Sequence, residues 1–275
     1  MNKKQGSENS ENIKEIAPRI LYCDGSCVVV NKIAGEVVEG NQTAAHRGTG
    51  KGMIDLPRLL AAELARPQWP SALPAGDVLA LPTAAHRLDV PVSGCVIFAR
   101  TKTALGNLNE SFAKNTVKRH YWAIVEPPNN DDTLRWLENA SIKNIELVHW
   151  IEFNPRKNKS IAHDESGLRR KKAILRCQQV GRGSDYLFLA IELITGRHHQ
   201  IRAQLERLGL HIKGDLKYGA RRSERNGGIR LHARSVVFPD PEGSRRGTVR
   251  NITVQADPPL RDNLWLAFAE LRMKE

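Results

Sequence analysis

Aromatic residues, cysteines and long apolar runs are all scarce in this sequence of 275 residues. Aromatic side chains make up 5% of the chain, and no apolar stretch approaches the roughly 18 residues of a membrane-spanning helix. The first 16 residues are polar, contain Glu8, Glu11 and Glu15, and lack the apolar core of a secretory signal. We therefore expect a cytoplasmic protein without membrane association, with a disordered tail over residues 1–16 and one domain over residues 17–275.

The four cysteines do not form a metal-binding pattern. Cys23 and Cys27 are four residues apart rather than in a C-x-x-C motif, and no matching pair of histidines or cysteines follows them. Cys95 and Cys177 lie in apolar, strand-like patterns. This distribution is typical of reduced core cysteines in a reducing compartment, so we expect no structural zinc.

Basic residues outnumber acidic ones, 42 to 30, which leaves a net charge of +12 and a pI of about 9.8. Such an excess indicates a polyanionic partner, nucleic acid first, although a solvated basic surface is the plain alternative. Part of the excess lies in a segment predicted to be a loop, residues 156–172, and a second basic loop covers residues 221–228.

Hydrophobic periodicity and capping residues predict an α+β fold with a mostly antiparallel mixed sheet flanked by helices. Asp55 and Thr101 are expected to cap two helices, the first running to Arg66. A third helix is predicted from Arg197 to Leu208 and a fourth near the end of the chain. The stretch from residue 67 to 82 is rich in proline and alanine and is predicted to be a loop.

Asp89 is the residue around which we build the functional interpretation. It follows His86 and Arg87 and precedes a turn at Pro91 that leads into a short apolar strand, Cys95–Ala99. An acid on a loop at the mouth of a buried strand is held by a rigid scaffold yet open to a substrate. Taken alone, the motif favours a structural role for Asp89, as the start of a turn or in an ion pair with Arg87.

Three segments, taken in order, give the chain a family resemblance. They are His86–Asp89 with Ser93–Gly94, then Lys118–Tyr121, then Thr195–Arg202 continuing to Gly209 and to Gly214–Gly219. Together with Val29–Gly35, Leu231–Ala233 and Phe238–Pro239, this set resembles the RluA-type RNA pseudouridine synthases over about residues 20–270. The chain departs from the family pattern at Val92, Ile33 and His198, where the family usually has Thr, Pro and a small polar residue. We expect the pseudouridine synthase fold with a central RNA-binding cleft and without the S4 domain that some relatives carry.

The resemblance implies an isomerase that turns uridine into pseudouridine, with Asp89 as the nucleophile attacking C1′ of the ribose or C6 of the base. It implies that Arg202 keeps Asp89 ionised and oriented, and that Tyr121 packs on the base and assists removal of the C5 proton. Considered singly, Tyr121 fits a core residue and Arg202 a solvated helix residue. Their order with Asp89 favours the catalytic interpretation.

The resemblance also implies that the uridine is flipped out of a folded RNA, with Arg87 entering the vacated space. We expect RNA, ribosomal or transfer, to be the partner of a monomeric enzyme that needs no metal, nucleotide or other cofactor. The residues predicted to contact RNA are His86, Arg87, Arg119, Arg169, Arg170, Lys171, Lys172, Arg197, His199, Gln200, Arg221 and Arg222.

Two other functions stay open at this point. One is a non-catalytic RNA-binding protein or RNA chaperone on the same fold, in which Asp89 is only structural. The other is a metal-dependent hydrolase with ligands among His198, His199, His211 and His232. Adjacent histidines on a helix point in different directions and no carboxylate completes a zinc spacing, which argues against the metal.

Overall fold

The computed structural model describes residues 15–39, 54–72, 75–128, 131–243, 247, 250–259 and 262–272. The chain divides into two compact units, one comprising Met1–Val117 with Val237–Pro259 and the other Lys118–Val236 with Leu260–Glu275. We call them the first and the second unit. Most of the predicted tail, residues 1–14, lies outside the described residues, whereas Ile16 is buried. The extent of a single catalytic domain over residues 17–275 stays a prediction.

The first unit is built on antiparallel strands. The strand β2 pairs on one side with β1 and on the other with β6, and β6 also pairs with β5. A separate parallel pair is formed by β3 and β4. The bounds are β1 Ile20–Cys23, β2 Cys27–Lys32, β3 Glu36–Val37, β4 Ile54–Asp55, β5 Val78–Ala84, β6 Ser93–Thr101 and β13 Asn251–Gln255, which pairs with β12.

Two helices of the first unit begin at side-chain caps. In α1, Leu56–Leu64, the Asp55 carboxylate accepts a hydrogen bond from the Arg58 backbone N–H. In α2, Lys102–Ala113, the Thr101 hydroxyl accepts one from the Ala104 N–H. Both caps satisfy donors that a helix leaves open at its N-terminus, and both were predicted from the sequence.

The second unit contains a longer antiparallel array. The strand β11 pairs with β7 and β10, β10 pairs with β8, and β8 pairs with β9. The bounds are β7 Lys118–Val125, β8 Ile145–Asn154, β9 Lys159–His163, β10 Lys171–Arg182 and β11 Leu187–Leu193, while β12, Leu231–Pro239, continues from the second unit into the first. Its helices are α3 Asp131–Ile142, α4 Gln200–Arg207 and α5 Asn263–Arg272.

The prediction of an α+β fold with mostly antiparallel pairing is confirmed. Three local predictions were wrong. The segments 67–82 and 156–172 are not loops throughout, because β5 begins at Val78 and β9 covers Lys159–His163. The third helix begins at Gln200 rather than Arg197, because His199 has a left-handed backbone (φ 50°) that an α-helix does not tolerate.

Among the described residues, no helix is both long and apolar enough to cross a membrane.

An aromatic cluster secures α5 to the sheet of the second unit. Phe268 is fully buried, stacks on Trp122 with ring centroids 4.5 Å apart, and meets Phe188 edge-on. Trp265 belongs to the same cluster. Aromatic pairs in such arrangements are stabilised beyond the area that they bury, so this cluster holds the end of the chain in place.

We expect Phe268→Ala to lower the free energy of unfolding by about 3–5 kcal/mol, because it removes a buried ring and leaves a cavity. Leu266→Ala on the same helix is the matched control, since Leu266 is 47% exposed. Urea unfolding followed by tryptophan fluorescence measures both. Equal losses in the two variants would contradict the role given to the cluster.

Candidate active site

The Asp89 turn is a defined structure rather than an open loop. The Val92 N–H donates to the Asp89 carbonyl over 3.0 Å, which closes a four-residue turn directly before β6. Asp89 is half-buried, whereas Val92 and the whole of β6 are buried. The sequence therefore places this acid between a rigid buried strand and a surface accessible to a ligand.

The backbone of the turn is bound by a buried lysine. The Lys32 ammonium, at the end of β2, donates to the carbonyls of Asp89 (3.3 Å), Val90 (3.0 Å) and Val92 (2.7 Å), and to its own neighbour Ile33 (3.1 Å). The Gly35 N–H donates to the same Val90 carbonyl over 2.9 Å. Two turns that are distant in sequence are thereby joined through hydrogen bonds, most of them donated by the Lys32 amino group.

The charges of Glu36, Asp89 and Arg19 act on Lys32. The Glu36 carboxylate, 1% exposed, forms two hydrogen bonds with the Arg19 guanidinium, at 2.7 and 2.9 Å, and accepts a third from the Ile33 N–H. Burial lowers the pKa of Lys32 to about 7, while the charges of Glu36 and Asp89 act in the opposite direction.

Of the residues before Asp89, His86 contacts β6 and Arg87 lies at the surface. The His86 ring accepts a hydrogen bond from the Ile97 N–H at Nε2 and lies 5.0 Å from the Phe112 ring. Arg87 is 60% exposed and forms an ion pair with Glu39 over 3.3 Å. His86 is therefore fixed by the fold, whereas Arg87 extends from the surface beside Asp89.

Tyr121 and Arg119 lie on β7 in the second unit. Tyr121 is 6% exposed and is paired with Ile191 in the strand register. The Arg119 guanidinium donates to the carbonyls of Leu193 and Ile194, and burial lowers its pKa. A β-carbon at position 196 would lie 2.7 Å from Arg119 Nη1, so any other residue there would require the guanidinium to shift.

Arg202 is buried on α4 and is held on two sides. Its Nε and Nη2 donate to the two carboxylate oxygens of Asp215, at 2.7 and 2.8 Å, and both residues are 5% exposed or less. Its guanidinium carbon lies 4.7 Å from the centre of the Tyr218 ring. A bidentate pair and a cation–π contact fix both the position and the plane of the guanidinium.

The turn before α4 is organised by Gln200. Its amide oxygen accepts from the Arg197 N–H and the Thr195 hydroxyl, and its amide nitrogen donates to the Ile174 carbonyl. His199 Nδ1 lies 2.9 Å from the Tyr218 hydroxyl. Gln200 is 3% exposed and its contacts here are structural, so its predicted role in RNA binding stays a prediction.

The remaining basic residues of the predicted RNA surface lie in the second unit. Arg170 is half-buried, and its guanidinium donates to the Glu165 carbonyl. The others are exposed: Arg169, Lys171, Lys172, Arg197, Arg221 and Arg222.

The structure thus groups His86, Arg87 and Asp89 in the first unit and the other predicted site residues in the second. Sequence reasoning missed the supporting residues Lys32, Asp215 and Tyr218. All three lie within motifs on which the resemblance was based, but a short sequence motif does not reveal which carbonyl, guanidinium or ring a buried side chain will contact. Within the described ranges, no group of three or more histidines, cysteines or carboxylates is arranged to hold a metal ion.

Comparison with known proteins gives consistent results at the level of family, relatives and fold. The family model described as RNA pseudouridylate synthase matches residues 26–207. An uncharacterized RNA pseudouridine synthase of Zymomonas mobilis is 28% identical over 80% of this chain and 87% of its own length. The ribosomal large subunit pseudouridine synthase C of Vibrio cholerae is 26% identical over 94% of this chain and 71% of its own.

Among solved structures, human RNA pseudouridylate synthase domain containing 4 is similar, with a TM-score of 0.62, 18% identity and 97% of each chain covered. At that identity the likeness concerns the fold.

The lowered pKa of Lys32 leads to a pH dependence of stability. The unfolded lysine has its ordinary value of 10.5, so between pH 7 and 10.5 the unfolded chain binds more protons than the folded one. We expect the contribution of Lys32 to the free energy of unfolding to increase with pH over this window, by at most about 1.4 kcal/mol per pH unit, and not to vary with pH below it.

Denaturant unfolding of the wild type and of Lys32→Met at several pH values isolates this contribution, because other titrating groups cancel in the difference. A difference that does not change between pH 7 and 9 would mean that the carbonyls keep the lysine protonated as it is in water.

Proposed function

Because the chain belongs to the RNA pseudouridylate synthase family, we propose that it isomerises a specific uridine of a structured RNA with Asp89 as the nucleophile. The observation that carries this assignment is the Asp89 turn, in which a half-buried acid is held through its backbone by Lys32. A nucleophile must be positioned before the substrate arrives, and a fixed backbone beside an open surface supplies that.

The reaction breaks the C1′–N1 bond, turns the base over and joins C5 to C1′. Substrate and product contain the same atoms, and no oxidation, reduction or group transfer from a second molecule is required. The carboxylate of Asp89 attacks at C1′ or at C6 and is released when the new bond is complete. C5 loses its proton, and N1, no longer bonded to the ribose, gains one. We accordingly propose that the protein's own side chains suffice, without metal or cofactor.

Arg202 is proposed to stabilise the ionised form of Asp89 and to orient it. Support comes from the way in which Asp215 and Tyr218 fix the guanidinium, since a positioning cation must itself be immobile. Tyr121 is proposed to pack on the target base and, through its hydroxyl, to assist removal of the proton from C5 after reattachment.

We propose that the target uridine is flipped out of the RNA and that Arg87 fills the space it leaves. The exposed cations of the second unit, Arg169, Lys171, Lys172, Arg197, Arg221 and Arg222, would contact phosphates without reading sequence. The substrate is a ribosomal or a transfer RNA. The name of the Vibrio relative favours ribosomal RNA of the large subunit.

The experiment that tests this function is to map pseudouridine across total RNA from cells with and without the protein. The proposal requires at least one uridine that is modified only when the protein is present, and modification of the same position by the purified protein. RNA binding without any such position would instead identify a non-catalytic RNA-binding protein.

Asp89→Asn should abolish isomerisation while RNA affinity changes by no more than a few-fold. The amide has nearly the shape of the carboxylate but is not a competent nucleophile. Single-turnover pseudouridine formation and a filter-binding titration measure the two quantities, with unfolding curves as the control for structure. Substantial turnover by the variant would remove Asp89 from the mechanism.

Arg87→Ala should reduce the rate much more on a folded stem-loop than on a short flexible oligonucleotide with the same uridine. Unstacking costs a few kcal/mol in a structured RNA and least where the base is already unpaired, so the losses should differ by roughly tenfold or more. Lysine at position 87 should restore only part of the rate, because it has charge but no stacking plane.

Arg58→Ala is the matched control for this measurement, since Arg58 is also an exposed, ion-paired arginine of the first unit. If Arg87 only braces its own turn through Glu39, the rate falls equally on both RNAs.

A further inference from the structure

Phe153 departs from the burial pattern of its strand. Along β8, alternate residues Leu147, His149 and Ile151 are buried on one face of the sheet. Phe153 is next in this alternation and lies on the same face, yet 45% of it is exposed. Exposing a large apolar ring to water is unfavourable in free energy. Exposed apolar surface of this kind often marks a binding site.

The ring is the outer end of an aromatic ladder. Phe153 lies 4.3 Å from the His198 ring, and His198 stacks on His199 with centroids 3.8 Å apart and planes 24° from parallel. His199 in turn meets the buried Tyr218 edge-on. The ladder therefore runs from the protein surface to the residue beneath the Arg202 guanidinium.

Hydrogen bonds hold the two histidine rings of this ladder in place. The Ser160 hydroxyl lies 2.9 Å from His198 Nδ1, and the Tyr218 hydroxyl lies 2.9 Å from His199 Nδ1. The Ser160 N–H donates to the same Tyr218 hydroxyl. Ser160 is paired with Phe153 in the strand register, so the β8–β9 hairpin supplies both the exposed ring and the hydroxyl that contacts His198. Rings that are already ordered lose little conformational freedom when a flat ligand stacks on them.

The surroundings of Phe153 are basic. The hairpin from Phe153 to Ser160 contains three cations, Arg156, Lys157 and Lys159, and no carboxylate. Arg156 and Lys157 are exposed, whereas Lys159 is paired with Glu206. Lys217 is also exposed and donates to the Asn158 carbonyl at the hairpin turn. An aromatic ring bordered by cations is the composition that binds single-stranded nucleic acid, in which bases stack and phosphates seek positive charge.

We propose that Phe153, braced by His198, is a stacking platform for one unpaired base of the RNA substrate, with Arg156 and Lys157 contacting the adjacent phosphates. We call Phe153, His198, Arg156 and Lys157 the platform. It rests on the proposed function and extends it, because it gives the enzyme a contact with a nucleotide other than the uridine that reacts. The platform has no sequence preference of its own, since every base has a stacking face.

Charge distinguishes RNA from a protein partner at this surface. The exposed ring of Phe153 is small beside the apolar area of a stable protein interface, and the cations that follow it in the hairpin match a phosphate backbone. Single strands fit better than duplex, because the bases of an A-form helix are stacked on one another and their faces are not available.

The test compares Phe153→Ala and Phe153→Leu with Ile161→Ala. Ile161 is the matched control, because it is 43% exposed on the same hairpin but is paired with Glu152 and points to the opposite face. Affinities are measured for a stem-loop with a single-stranded flank and for the same RNA with the flank paired to a complement.

We expect Phe153→Ala to weaken binding of the single-stranded form by roughly tenfold and of the paired form hardly at all. Leucine should restore little, since it has apolar volume without a ring, and Ile161→Ala should bind as the wild type does. The salt dependence of affinity should be unchanged in Phe153→Ala and shallower when Arg156 and Lys157 are both replaced by Gln.

A cross-linking measurement avoids any variant that fails to fold. RNA with 5-iodouridine at successive flank positions is irradiated with the wild-type protein, and the linked peptide is identified by mass spectrometry. A link to Phe153 or His198 from one flank position supports the platform. Links from every position only to other peptides would overturn it, as would equal affinities of Phe153→Ala and the wild type.

Failure of the platform and failure of the proposed function are separable. If the purified protein forms no pseudouridine but binds RNA through Phe153, the catalytic proposal fails and the platform stands. If it forms pseudouridine and Phe153→Ala binds like the wild type, only the platform is wrong.

Discussion

The first unit depends on one buried lysine. Lys32 is fully buried, and its ammonium group reaches four carbonyl oxygens, three of them in the turn that contains Asp89. A lysine amino group away from water is tolerated only where polar partners replace its hydration, so the carbonyls must stay where they are. The consequence is a turn whose backbone has little freedom, although its acidic side chain lies near the surface.

In the second unit a buried guanidinium group is likewise held by polar and aromatic partners. Arg202 is buried with Asp215 on one side and the face of Tyr218 on the other, and the Tyr218 hydroxyl is itself engaged by Ser160 and His199. Removing one member of such a set leaves another buried group without its partner, which is strongly destabilising. Rigidity in both units therefore comes from charges that are costly to misplace, and it is located beside the residues assigned to chemistry.

Local signals explain what was predictable from the sequence. Asp55 and Thr101 cap helices through contacts three residues away, and the motif of Asp89 predicted both its turn and the strand β6. The strands β5 and β9 were missed because their apolar alternation is weak: β5 contains Pro82, and Ile161 on β9 faces solvent. The start of α4 was misplaced because the side chain of Gln200 organises the preceding turn. The partners of Lys32 and Arg202 are 57 and 13 residues away, distances at which only tertiary structure decides.

The ion pair between Arg19 and Glu36 limits how far the protein can be shortened from its N-terminus. Arg19 comes soon after the polar leading residues, yet it is 7% exposed and its Nε donates to the Glu15 carbonyl. A version that begins after Arg19 would leave the Glu36 carboxylate buried without its cation, at a cost of about 3–5 kcal/mol. Glu36 also accepts a hydrogen bond from the Ile33 N–H, next to Lys32. Loss of Arg19 would therefore also destabilise the Asp89 turn, whose carbonyls Lys32 binds. The safe boundary for a trimmed protein therefore lies before Glu15, a position that sequence composition alone would have assigned to dispensable tail.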